Sequence, residues 1–145
     1  AIICEALEVP LQFDPDWMEI NNGLIAGLDP AEAEKVAPPP AFMTPFTHYG
    51  QTGESRWELY LRAGRAIQHI LDGPAGSVLV VAHGGVLNTA MYAVLGIPLQ
   101  ADSTGPRFMF DNTTFATFRY QPAHHSWRLL AFDDRSHWKE AGKEG

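Results

Sequence analysis

The stretch SVLVVAHGGVLNTAMYAVLG, residues 77–96, constrains the fold more than any other part of the chain. Its opening SVLVVA is an apolar run that does not alternate with polar residues, the pattern of a central strand covered on both faces by helices. His83 ends the run, Gly84 and Gly85 turn the chain, and a helix follows that Gly96 closes, with Pro98 just beyond. In open α/β sheets, ligands collect at the carboxyl ends of the strands, and His83 falls at that edge. The two glycines let the backbone pass close to a bound group, and the first N–H groups of the helix point toward it. An anion such as phosphate is the natural guest. An imidazole beside those amides can donate to a phosphoryl oxygen and stabilise the charge that develops in transfer. A lone histidine in such a turn is also read as no more than a satisfied edge residue. The HGG triplet resembles an esterase oxyanion loop, but no G-x-S-x-G nucleophile elbow occurs in the chain.

Around this unit the elements alternate. AIICEALEV has the spacing of the second half of a helix, ended by Pro10, and LQFD reads as a short strand. A turn-rich segment, DPDWMEINNGLIAGLDP, comes next. Residues 29–53 are rich in proline, hold at most one short helix, and read as a lid or substrate loop. Order returns at Ser55-x-x-Glu58, a capping box before a helix in which Trp57, Leu61, Ile67, Ile70 and Leu71 follow helical spacing and Gly73-Pro74 make the stop. The last third reads as two strands, TTFATFRY and SWRLLAFD, joined by QPAHH, with a polar tail expected to fray after Asp133. The sum is one α/β domain spanning 1–145, a sheet of largely buried strands with helices on its faces.

Composition excludes several classes. Seventeen acidic residues against ten basic ones give a formal charge of −7, and the scattered Lys and Arg form no stripe, so nucleic acid is not an expected partner. The single cysteine, Cys4, forms no internal disulfide, and no spacing of Cys and His matches a zinc site. No apolar run approaches the roughly 18 residues of a membrane span, and the first residues lack the basic region of a secretion signal. A soluble protein of the reducing cytoplasm is expected.

Taken in order, further motifs resemble the histidine phosphatase superfamily, the phosphoglycerate-mutase-like proteins. VLVVAHGGVL is similar to that family's second histidine motif. WMEINNGLIAG is similar to its glutamate segment and maps Glu19, Gly23 and Gly27. GES at 53–55 with Arg62 is similar to its helix start, DNTTFATFRY to the late strand opening on Asn112, and WRLLAFDDRSHW to the final strand with its trailing His137. The resemblance implies a three-layer α/β/α sandwich with a mostly parallel sheet. It implies that His83 contacts the transferred phosphoryl group, with Gly84 and Gly85 in the phosphate cradle, and that Glu19 is the general acid and base. His48, Tyr49 and Asn22 become candidates for the substrate rim. No cofactor and no metal are implied, because cationic side chains and backbone amides would hold the phosphate. The partner is a phosphorylated small molecule, and the activity that of a phosphatase working through a phosphohistidine, with phosphoglycerate mutase and a non-catalytic phospho-ligand or protein-binding module as the alternatives.

The family's nucleophile lies in an Arg-His-Gly motif, and these 145 residues contain no such triplet. THYGQTGES carries a His and a Gly in a suggestive order, but Tyr49 separates them and the segment follows a Pro-rich loop rather than a strand. The expectation is an upstream strand and nucleophile loop outside the sequence. Without that strand a chain of only these residues would be marginal or would pair with a second copy as a homodimer. Asn88 stands where the family often has Arg, and the Pro-rich loop has no Lys or Arg beyond Lys35, which favours a partly apolar phosphate ester over a highly charged bisphosphate.

Overall fold

The computed structural model describes residues 2–140. Its longest element begins at the capping box: Ser55 Oγ accepts from the Glu58 N–H at 3.2 Å while Glu58 Oε2 accepts from the Ser55 N–H at 2.7 Å. Two of the first turn's orphan donors are thereby satisfied, and helix α3 runs from there over Arg56–Asp72. Helix α4, Gly84–Leu95, begins at His83 and stops at Gly96, whose left-handed φ of 67° a side chain would resist. Two short helices precede them, α1 over Ile2–Leu7 and α2 over Pro30–Val36, the latter capped by Asp29 and started by a proline.

The core lies where α3 and α4 pack together. Leu59, Ala63 and Ala66 line the buried side of α3, and Val86, Ala90, Met91 and Tyr92 that of α4. The small residues at 63, 66 and 90 let the two backbones come close, and full burial of one side chain such as Val86 contributes about 1.5–3 kcal/mol. Trp57 and Leu61 fall outside this stripe and are about half exposed, because they are two residues out of step with Leu59 and Ala63, or roughly 200° around the helix. Trp57 meets Phe46 and Tyr60 there instead.

Strands β1, Phe115–Gln121, and β2, Ser126–Asp134, form an antiparallel hairpin around the turn at Pro122–His124. An edge-to-face chain of rings, Tyr92 to Phe108 to Phe132 to Phe110, joins α4 to the hairpin at centroid separations of 6.1, 5.7 and 5.4 Å. Asn88 fixes the connecting segment by accepting from the Phe108 N–H at 2.7 Å. A last helix, α5 over Ser136–Glu140, follows β2. Its start is tied to the rest of the chain: His137 meets Thr113 Oγ1 at 3.1 Å, Trp138 Nε1 donates to the same oxygen at 3.0 Å, and Arg135 pairs with Asp111 and Asp133. Residues 141–145 of the tail lie outside the described residues.

Two expected strands are not strands here. SVLVVA has no regular secondary structure and enters no ladder among the described residues, and Val78, Leu79 and Val81 are 60, 49 and 69% exposed. Strand structure is made by pairing, and an apolar run without a hydrogen-bonded neighbour has neither its ladder nor its cover. LQFD is likewise irregular. The one sheet among the described residues is the antiparallel hairpin, so the expected parallel sheet between helical layers is not realised within them. No described helix is long and apolar enough to cross a membrane.

Candidate functional site

The site is assembled from the irregular segment 14–23. Asp14 opens it by accepting from the Asp16 N–H at 2.8 Å, the cap of a short helical turn at Pro15–Trp17. Asp16 is buried and takes both its bonds from Arg65 of α3, Nε and Nη2 each at 2.8 Å. This two-point charged pairing holds the Asp16 carboxyl below its ordinary value of 3.8, against the opposing effect of desolvation. Arg62, two turns into α3, reaches the same segment. Its Nη1 donates to the carbonyls of Asp16 at 2.9 Å and Met18 at 2.7 Å, its Nη2 to that of Glu19 at 3.5 Å, and its Nε and Nη2 to the two oxygens of Glu54 at 2.8 and 2.7 Å. Hydrogen bonding to Glu54 raises the Arg62 pKa above its ordinary value.

Downstream, Gly23 and Gly53 meet backbone to backbone. A Cβ on Gly23 would lie 2.8 Å from Gly53 Cα and 2.9 Å from the Thr52 carbonyl carbon, and the φ of Gly23 is +58°. Bonds from the Glu54 N–H to the Asn21 carbonyl at 2.7 Å and from the Leu24 N–H to the Gly50 carbonyl at 3.2 Å stitch the two loops. The Glu19 segment is therefore held on both sides.

That framework delivers the Glu19 side chain to the start of α4. Glu19 Oε2 accepts from the Gly85 N–H at 2.7 Å, across 66 residues of sequence, and Oε1 accepts from the adjacent Ile20 N–H at 2.8 Å. His83 is the N-cap residue of α4 but makes no side-chain cap bond, so the carboxylate of Glu19 supplies one, where the helix's partial positive charge favours it. Gly85 is needed for this approach, since a Cβ there would stand 2.9 Å from Glu19 Cδ. At Gly84 a Cβ would meet nothing within 4 Å. Glu19, His83, Gly84 and Gly85 thus converge at one helix N-terminus, with His83 exposed to solvent.

The three rim candidates are placed differently. His48 Nε2 faces Glu58 Oε2 at 3.5 Å and its backbone bridges Ser55, so it belongs to the α3 capping region. Tyr49 is stitched to the GES loop through its backbone, its N–H donating to the Glu54 carbonyl at 3.3 Å. Asn22 is exposed and accepts at its carbonyl from the Ile25 N–H at 3.3 Å. His137 is bound to Thr113, and His125 to the Tyr120 hydroxyl at 2.7 Å. Asp14, Asp16 and His69 bring ligand-type atoms within 4.8 Å of one another. Asp16 is already neutralised by Arg65, and Asp14 faces His69 Nδ1 at 3.2 Å, so the group is internally paired.

The sequence matches the model of the histidine phosphatase superfamily (branch 1) over residues 1–135. The chain belongs to that superfamily. No curated protein and no solved structure matches it. Histidine phosphatases are phosphoryl-transfer proteins of the phosphatase and phosphoglycerate mutase type, mostly enzymes, and share a phosphoglycerate-mutase-like α/β fold. The matched span takes in both halves of the convergent site, the Glu19 segment and the His83 turn. The sequence groups Arg62 with the GES segment only through resemblance, and the structure adds the bond between Arg62 and Glu54. Its signal is a pair, an acidic residue just before the helix and an arginine two turns inside it.

Proposed function

We propose that this protein is a phosphomonoester phosphatase working through a phosphohistidine, with its nucleophilic histidine supplied by polypeptide outside these 145 residues. The supporting observation is the placement of the Glu19 carboxyl group on the Gly85 amide, two residues from His83, which brings a group able to take and give a proton to the head of α4. In the first displacement the nucleophilic imidazole bonds to phosphorus, the ester P–O bond breaks, and Glu19 gives its proton to the departing oxygen. In the second, water loses a proton to Glu19 as its oxygen bonds to phosphorus, the P–N bond breaks, and inorganic phosphate leaves. His83 and the α4 amides at Gly84 and Gly85 stabilise the equatorial oxygens, the Gly85 N–H once the phosphoryl group has taken the place of the Glu19 carboxyl on it. Hydrolysis is favoured over mutase activity because Asn88 carries no charge and its side-chain oxygen is committed to the Phe108 N–H.

The test uses the full natural polypeptide and a phosphate-labelled monoester. The expected result is release of inorganic phosphate together with a trapped protein label that is labile in acid and stable in alkali, both lost in His83→Ala. Absence of turnover and of label overturns the reading, and return of the phosphoryl group to a second hydroxyl identifies a mutase. Phosphate binding without turnover leaves the non-catalytic module.

A further inference from the structure

We propose that Arg62 and Glu54 are positioning residues that hold Glu19 in line for proton transfer, an inference that rests on the reading of Glu19 as the general acid. A guanidinium has five N–H donors, and Arg62 directs all five inward: two to the Glu54 carboxylate and three to the backbone carbonyls of Asp16, Met18 and Glu19. None is left for a phosphoryl oxygen. Arg62 therefore acts on the reaction through the residue it holds.

The geometry suits that task. Both side chains are largely buried, 14% exposed for Arg62 and 15% for Glu54, so packing fixes a pair that would otherwise wander. Glu54 neutralises the guanidinium and also grips the far end of the segment, where its N–H bonds the Asn21 carbonyl at 2.7 Å. Carbonyls are thus held at 16, 18, 19 and 21, straddling the carboxylate-bearing residue. The planar fork is essential to this arrangement, since a lysine ammonium offers a point charge that cannot span a carboxylate and three carbonyls at once.

The experiment compares kcat/KM of the full natural polypeptide on two esters, p-nitrophenyl phosphate, whose leaving group departs without a proton, and an alkyl phosphate, whose leaving group needs one. Glu19→Gln sets the reference pattern, with a loss concentrated on the alkyl ester. Arg62→Lys is expected to copy that pattern, losing about 100-fold on the alkyl ester, as for a misplacement of about 1 Å, and no more than about 3-fold on the nitrophenyl ester. Arg65→Gln loosens the same segment through the Asp16 side chain and is expected to leave the ratio of the two esters unchanged. A loss in Arg62→Lys that is equal on both esters, or absent, while Glu19→Gln keeps its selectivity, overturns the positioning role and leaves the acid intact. Indifference of Glu19→Gln itself to the leaving group removes the acid, and the positioning role with it. An Arg62→Lys protein that does not fold is replaced by Glu54→Gln, for which the same selective loss is expected.

Discussion

Gly23 and Gly27 both sit at left-handed backbone angles, φ +58° and +77°, yet alanine should behave very differently at the two positions. A Cβ at Gly27 meets nothing within 4 Å, whereas one at Gly23 runs into the Gly53 and Thr52 backbone, which no rotamer change can clear. The left-handed angle costs a non-glycine residue about 1–2 kcal/mol, and overlap in a packed region about 1–3 kcal/mol more. Alanine also narrows the unfolded chain, which offsets roughly 0.4–1 kcal/mol at both sites and so cancels from the comparison. Gly23→Ala is therefore expected to be less stable than Gly27→Ala by about 1–3 kcal/mol. Urea unfolding followed by tryptophan fluorescence measures this, since Trp17 lies close by in the segment that Gly23 anchors. Equal midpoints and slopes for the two variants would mean that the contact between the 23 and 53 loops does not constrain the Glu19 segment.

Two further outcomes concern the supports of the site. Ser55→Ala removes a two-way cap at the head of α3 and should cost about 1 kcal/mol in the same urea experiment, with Ser55→Asp recovering part of it. The carboxyl of Asp16 is held below its ordinary 3.8 by Arg65, so its contribution to stability is full above that value and is lost as pH falls through the lower folded value. A plot of unfolding midpoint against pH should thus drop below about pH 4 and flatten in Asp16→Asn, and an unchanged slope in that variant would place the acid sensitivity elsewhere.

Much of this architecture is legible in the residues because it is local. The Ser55–Glu58 box, the Gly96 stop and the polar turn between two β-rich runs each act within a few positions, and α3, α4 and the hairpin appear where those signals put them. The strand expected at SVLVVA depends on a neighbour, and a run of valines states only that it suits a ladder. The site divides along the same line. His83 and its glycines are one contiguous motif, and Glu19 enters through resemblance. The grip of Arg62 on three carbonyls has no sequence signature, because a carbonyl is the same group at every position.

The carboxylate seated on the Gly85 amide also changes what an affinity for this protein means. An anion arriving at the head of α4 does not fill an empty place there but displaces a resident one, so the apparent strength of binding is a difference between two similar electrostatic attractions. Such exchange keeps the Gly85 amide satisfied at every stage.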